Sequence, residues 1–248
     1  MFRCTNVFSR RLLSAATAAL LLTVAACSSP PEGSEDAAAR QDPLETMNRG
    51  IYAFNDVFDR FLLAPVARGY RSAVPEYGRQ RVTNVLANLK QPVIFLNSVL
   101  QADPENAFSS FWSFMLNTTL GIGGLFDFAD VNTDLKVRDE DFGQTLGVWG
   151  VGPGPYIVLP ILGPSSLRDT VGLAGDWFSD PFNYLDDEIV ITRTVIRAID
   201  ARANTLDLTD EINEKSFDPY ATFRSGYLQK REAQVQNTSR RPANYLDD

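Results

Sequence analysis

The segment DPLETMNRGIYAFNDVFDRF, residues 42–61, decides the fold class. It opens on Asp42-Pro43, an N-cap residue followed by a first-turn proline, which is a typical start of an α-helix. Apolar residues then recur at spacings of three and four, the period of one helical face: Leu44, Met47, Ile51, Phe54, Phe58 and Phe61. The Asp-Pro pair returns at residues 103–104 and 218–219 and predicts two further helix starts, the last helix ending near residue 231.

Helical spacing continues through most of the remaining chain. Val82, Val85, Leu86 and Leu89 follow it, and Pro92 is expected to start a separate segment. Ser165-Ser166 is expected to cap a helix that ends near Phe178, and another amphipathic pattern runs from Ile189 to Ala203. The sequence contains neither an internal repeat nor a further linker. We therefore predict one mostly α domain of amphipathic helices over residues 42–231.

The helix that starts at residue 103 is unusually aromatic. Its apolar residues are Phe108, Phe111, Trp112, Met115 and Leu116, and the segment ends in a glycine cluster at residues 121–124. A buried core helix is one interpretation. A partly lipid-facing helix is the other, because the aromatic residues spread over more than one face.

The segment over residues 141–164 has a different composition. Within it, residues 142–160 carry glycines at positions 143, 147, 150, 152 and 154 and prolines at 153, 155 and 160. Such a composition predicts a loop or a short irregular hairpin and no helix. Because the segment is also apolar, we expect it to pack on the domain or to contact lipid.

The N-terminus has the pattern of an export signal. Three arginines precede an apolar run that is too short to span a bilayer comfortably, and VAAC at residues 24–27 resembles a bacterial lipobox. We predict a signal peptide over residues 1–26, acylation of Cys27, and a flexible tether over residues 27–41. An ordinary signal peptide with an incidental cysteine is the alternative. Residues 232–248 are predicted to form a disordered polar tail.

The composition excludes several classes of function. The 248 residues contain no histidine, which removes Ser-His-Asp and Cys-His catalysis and His-zinc sites. A net charge of −8 argues against nucleic-acid binding. Cleavage would leave one cysteine, which acylation consumes, so a disulfide or thiolate metal site is not expected. The acids at residues 139–141 are interpreted as a solvated charge run. We predict that the protein is not an enzyme and that it binds neither a metal nor a cofactor.

Six segments resemble the MlaA (VacJ) family of outer-membrane lipoproteins. They are DPLETMNR at residues 42–49, LNTTLGIGG at 116–124, FGQTLG at 142–147, GVGPGPY at 150–156 with Leu159-Pro160, LRD at 167–169, and DPY at 218–220 with Arg224 and Tyr227. They lie in family order and span nearly all of the mature chain.

The resemblance implies a single ring-like domain of helices that lies in the membrane interface and surrounds an amphipathic channel. It implies removal of mislocalised phospholipids from the outer leaflet, transfer to a periplasmic phospholipid-carrier protein, and action beside a trimeric porin. The family's gating hairpin matches Gly150, Gly152 and Gly154, and its polar channel aspartate matches Asp169. The location implied is the periplasmic face of the outer membrane, with a lipid anchor.

Physical reasoning about phospholipid transfer leads to the same requirements for the protein. A phospholipid carrier must shelter a charged headgroup, and a charge in hydrocarbon is costly without a polar lining. Arg168, Asp169, Arg193 and Arg202 are the candidate lining residues. For each arginine, a surface or core salt bridge is the alternative and the commoner role. The rival functions are a structural lipoprotein that scaffolds porins and a soluble carrier of lipids or lipoproteins.

Overall fold

The computed structural model describes residues 42–133 and 135–236. The predicted signal peptide, Cys27 and the whole of the predicted tether lie outside the described residues, as do residues 237–248. The elements are α1 (Glu45–Phe58), a π-helical turn (Asp59–Leu63), α2 (Ala64–Ala73), α3 (Glu76–Leu100), α4 (Pro104–Thr119), α5 (Phe128–Asn132), α6 (Phe142–Val148), β1 (Tyr156–Leu159), β2 (Gly163–Ser166), α7 (Leu167–Ser179), a 3-10 turn (Pro181–Tyr184), α8 (Asp187–Lys215) and α9 (Pro219–Val235).

The mostly helical fold class is confirmed, and two of the three Asp-Pro pairs from which helix starts were predicted act as expected. The side chains of Asp103 and Asp218 accept hydrogen bonds from the backbone N–H groups of Asn106 and Ala221. Asp42 does not act as an N-cap, because α1 begins at Glu45 and Asp42 is buried, where it accepts hydrogen bonds from other side chains. At the other end, α9 continues to Val235, four residues beyond the predicted end.

Two predictions about helix breaks were wrong. Pro92 lies inside α3, which runs unbroken for 25 residues. The proline removes one backbone hydrogen bond, and packing of α3 against α4 along its length offsets this loss. The glycine-rich segment was predicted to hold no helix, yet it begins with α6, whose N-cap Asp141 accepts the N–H of Gln144 at 2.9 Å.

Close backbone contact between α6 and α7 explains the glycine at position 172. A Cβ built on Gly172 of α7 would lie 2.4 Å from the backbone nitrogen of Gly143 and 2.6 Å from its Cα. Real Cβ atoms do not approach backbone atoms so closely, so any side chain at Gly172 would push α6 and α7 apart. The cost of glycine in a helix is smaller than the cost of separating α6 and α7, so glycines remain within both helices.

The antiparallel hairpin pairs Tyr156 with Ser166 and Leu159 with Gly163. Two asparagines of α1, seven residues apart, supply hydrogen bonds to its open edge. Asn48 bonds both Tyr156 O and Val158 N, and Asn55 bonds both Leu159 O and Ile161 N, at 2.7–3.0 Å. A helix thus covers the edge of a two-stranded sheet that would be marginal alone.

The π-helical turn joins α1 to α2 without a break. The N–H of Ala64 reaches back five residues to Asp59 O, so the turn holds one residue more than an α-helical turn. Beyond it, Ala64 and Ala67 pack on Ala203 and Leu206 of α8 and form one small apolar core. A second apolar core contains Tyr156, Val158 and Tyr220, between the hairpin and α9.

Candidate functional site

The domain has its polarity reversed relative to a water-soluble protein. Among the described residues, the buried polar side chains outnumber the buried apolar ones, while large apolar side chains are widely exposed. Helix α4 is the clearest case. It buries Ser109, Ser110 and Ser113 and exposes Phe108, at 59%, and Trp112. The core interpretation of its aromatic face was therefore wrong. Exposed apolar surface on this scale is typical of a protein in contact with lipid.

No described helix is both long and apolar enough to cross a membrane. The exposed apolar side chains are spread over several helices and the hairpin tip, where Ile161 and Leu162 are open. Such helices present an apolar face outward and a polar face inward, which suits a position in the interface plane.

A cavity of about 410 Å³ lies between α3, α7, α8, α9 and the hairpin. Its lining mixes apolar side chains with charged ones. The charged residues are Lys90, Asp141, Asp169, Asp176, Asp180, Arg193, Arg197 and Arg231, and the apolar ones include Leu86, Leu89, Val93, Leu159 and Leu173. The volume lies within the range of ligand sites, and the mixed lining fits an amphipathic ligand.

Arg231 is the centre of a charged cluster in this cavity. Its guanidinium donates to both oxygens of Asp141 at 2.7 and 2.9 Å, and to both oxygens of Asp169 at 2.8 and 3.1 Å. The hydroxyl of Tyr227 also donates to Asp169, and Arg168 Nε donates to it at 3.0 Å. Bidentate pairs of this kind fix two side chains in one orientation.

The cluster sets the charge of its members. Burial alone would raise the pKa of Asp169, but the hydrogen bonds from Arg231 and Tyr227 outweigh it and hold the pKa well below the usual value. The pKa of Asp141 is lowered by Arg231 in the same way. Burial lowers the pKa of Arg231, but both carboxylates raise it further, so the guanidinium stays charged. The cavity therefore contains fixed charges at neutral pH.

Two further acids have raised pKa values. Burial, and then the negative charge of Asp141, raise the pKa of Asp176 to about 6, although Phe142 N and Asn97 Nδ2 donate to it at 2.9 and 3.1 Å. Burial raises the pKa of Glu140 to about 7. The interpretation of the acids at residues 139–141 as a solvated charge run was wrong, because Glu140 is buried and Asp141 is paired with Arg231.

The four predicted lining residues do not all reach the cavity. Asp169 and Arg193 line it, and Arg193 holds both oxygens of Asp180 at 2.7 and 3.3 Å. Arg168 is buried beside Asp169 but is absent from the lining. Arg202 forms a bidentate pair with Asp59 of the π-helical turn, at 2.6 and 2.8 Å, and also does not line the cavity. For Arg202, the salt-bridge alternative describes the contact.

The predicted gate glycines precede the hairpin and are outside the cavity lining. Gly150 has a φ of +90° and follows the last turn of α6. Its N–H donates to Gly147 O, and the N–H of Val151 donates to Leu146 O. Gly154, with a φ of +67°, packs against Leu167. Gly152 has no positive φ, and a Cβ added to it would have no atom within 4 Å. Hairpin residues such as Leu162 and Ser165, and not the glycines, line the cavity.

Sequence reasoning missed several cavity residues. Asp141, the N-cap of α6, and Asp176 of α7 are ordinary acids in the sequence, and nothing local distinguishes them as cavity residues. Tyr227 and Arg231 are four residues apart and so lie on one face of α9, a spacing that could have suggested a shared role. Only the fold brings them to Asp169.

Comparison with known proteins identifies the family. The model of the MlaA lipoprotein family matches residues 40–234. An Escherichia coli protein named intermembrane phospholipid transport system lipoprotein MlaA is 38% identical over 200 residues, which are 79% of each chain. An uncharacterized Rickettsia bellii protein is 41% identical over 197 residues, 79% of this chain and 77% of its own.

A solved structure also matches. It comes from work on the structural basis for maintenance of bacterial outer membrane lipid asymmetry, and it superposes with a TM-score of 0.71 at 36% identity. The match covers 78% of this chain and 98% of that one. Sequence and structure thus agree over the whole described domain, and the chain belongs to the MlaA lipoprotein family.

Proposed function

We propose that this protein transports phospholipids between membranes and maintains outer-membrane lipid asymmetry by removing mislocalised phospholipids from the outer leaflet. The observation that carries the proposal is the reversed polarity around a charged cavity. The apolar exterior suits contact with acyl chains, and the cavity offers ion pairs and hydrogen-bonding groups to a headgroup. The names of the relatives support the same function.

The energetics explain why such a protein is needed. Exposing about 30 methylenes of two acyl chains to water would cost roughly 25 kcal/mol at about 0.8 kcal/mol each. The headgroup faces the opposite penalty in hydrocarbon. A polar cavity bounded by apolar helices lowers both penalties together. This passive route uses neither a cofactor nor a metal, and the protein is not an enzyme.

The anchor places the domain at the membrane. Signal cleavage after residue 26 and triacylation of Cys27 would attach the chain stably, since two or more acyl chains are required for lasting anchoring. Ser28 follows the cysteine where an aspartate would retain a lipoprotein in the inner membrane, so the destination is the periplasmic face of the outer membrane. Residues 27–41 serve as the tether, and residues after the helical domain form a polar tail.

The proposed route of phospholipid transport implies two protein partners. A trimeric porin lies beside the domain, and a periplasmic phospholipid carrier receives the lipid. The loop of Gly150, Gly152 and Gly154 acts as a gate by allowing the hairpin to move. Gly152 gives the sharpest test, because a side chain there meets open space and should leave the fold intact. Gly152→Trp should impair transport; unchanged outer-leaflet phospholipid at normal protein abundance would remove this loop from the mechanism.

Gene deletion tests the function as a whole. We expect outer-leaflet phospholipid, measured by accessibility to an added phospholipase, to rise in the deletion strain and to return when the intact gene is restored. An unchanged level would refute the proposal. Crosslinking from Asp169 separates the scaffold alternative, since a scaffold would trap porin and no phospholipid. The wide apolar surface already favours a membrane-bound protein over a soluble carrier.

A further inference from the structure

A second concave surface lies beside the charged cavity. It is a groove of about 570 Å³ between α3 and α8, and we call it the α3–α8 groove. Most of its lining surface is apolar and comes from Val82, Val85, Leu86 and Leu89 of α3 and Ile189 and Ile196 of α8, and its polar lining residues are Arg81, Glu188, Thr192 and Arg193. Its volume is within the usual range for ligand sites.

The groove and the cavity are neighbours. Leu86, Leu89 and Arg193 line both, so the two spaces adjoin at these side chains. Helical geometry on α8 produces the division. Ile189, Thr192 and Ile196 fall on one face at spacings of three and four, and Arg193 and Arg197 fall on the adjacent face, toward the cavity. The boundary between a polar and an apolar compartment thus runs along α8.

Two arginines of α8, Arg193 and Arg197, line the cavity on its side of this boundary. Arg193 is neutralised by Asp180 and also donates to Asn183 Oδ1 at 2.6 Å. Arg197, one turn further along α8, has no ion pair among the described residues although it lines the cavity beside the charged cluster. A guanidinium without a carboxylate partner is suited to bidentate binding of a phosphate.

We infer that one phospholipid binds across this boundary, with its phosphate at Arg197 in the cavity and an acyl chain in the α3–α8 groove. The inference rests on the proposed function and adds to it the path of the chain, which leaves the cavity sideways between two helices. A phospholipid is the occupant because its two parts match the two adjoining linings.

The test blocks the groove in stages. Thr192 lines the groove, and the neighbouring Ile191 is exposed at 62% and lies outside it. Thr192→Ala enlarges the groove slightly, whereas Thr192→Leu and Thr192→Trp fill it in two steps. The same three residues placed at Ile191 give the matched series on the outer surface. All are expressed as full-length, acylated protein in the deletion strain, and outer-leaflet phospholipid is measured relative to protein abundance.

We expect outer-leaflet phospholipid to rise from Thr192→Ala to Thr192→Trp, toward the deletion level, and to stay at the parent level across the Ile191 series. Equal effects in both series, or none in the Thr192 series, would overturn the inference and would show that the groove is only outer surface in contact with the bilayer. Phospholipid that co-purifies with Thr192→Trp should also fall relative to Ile191→Trp.

Two results keep the inference separate from the proposed function. If the deletion strain itself shows no rise in outer-leaflet phospholipid, the proposed function fails. If the deletion strain shows the rise and Thr192→Trp restores the parent level, only the groove is excluded. Should Thr192→Trp fail to accumulate, Thr192→Leu and Val85→Phe give the same comparison with smaller changes.

Discussion

Replacement of Arg231 by methionine is the most direct test of the charged cluster. The substitution keeps an unbranched stem, removes the guanidinium, and leaves Asp141 and Asp169 without their bidentate partner. Removing one member of a buried ion pair costs about 3–5 kcal/mol. An upper limit follows from protonation, because neutralising one stranded aspartate at pH 7 costs about 4 kcal/mol. We therefore expect a loss of about 3–4 kcal/mol, with Arg168 and Tyr227 still holding Asp169.

The pH dependence gives the expected loss a second signature. In the native protein the pKa values of Asp141 and Asp169 are held below normal, so their stabilisation is present above about pH 4 and is lost as the pH falls further. In Arg231→Met, burial raises the pKa of Asp141 instead, so the variant loses stability as the pH rises. The difference between the two proteins should be largest near pH 7 and should shrink below pH 4.

The assay is urea unfolding in detergent solution, followed by circular dichroism. Arg60→Met is the matched control, since Arg60 pairs with Asp56 at 2.7 Å but is 69% exposed, and it should cost less than about 1 kcal/mol. Equal losses in the two variants, or an Arg231→Met deficit that does not shrink in acid, would refute the account of the cluster.

Three other outcomes are expected. Gly172→Ala should destabilise the protein by about 1–3 kcal/mol in the same unfolding assay, because its Cβ meets backbone, whereas Gly226→Ala, with open space, should not. Phe61→Ser, at a side chain 78% exposed, should weaken binding of the non-acylated chain to phospholipid vesicles by about 10–100-fold in a sedimentation assay, and Lys215→Ser should leave it nearly unchanged. Because its pKa is raised to about 6, Asp176 should lower the stability of the native protein progressively as the pH rises from about 4 to about 6. In unfolding measured from pH 4 to 8, Asp176→Asn should flatten this fall by about 2 kcal/mol.

Local chemistry made much of the fold predictable. Caps at Asp103, Asp218 and Ser166 lie where the sequence placed them, because capping depends on a few neighbouring residues. Pro92 and α6 were mispredicted for the opposite reason. A helix with a proline or several glycines persists when a neighbouring helix stabilises it, and such long-range contacts leave no trace in local composition.

The site was harder to predict than the fold. Asp169 was identified through a family motif, and Arg193 through its position on an amphipathic helix. Arg231 and Asp141 lie 90 residues apart, so their pairing depends on the docking of α9 on α6. The reversed polarity was only partly visible, since a helical pattern gives the spacing of apolar residues and not the direction in which they face.

The additional residue of the π-helical turn has a consequence for chain length. An α-helix advances about 100° per residue, so deleting one residue between Asp59 and Leu63 would rotate everything before it relative to everything after it. After such a deletion, Asn48 and Asn55 could keep their hydrogen bonds to the hairpin only if Ala64 and Ala67 lost their packing contacts with α8. That short stretch works as an angular spacer. Its residue count is more tightly constrained than its composition.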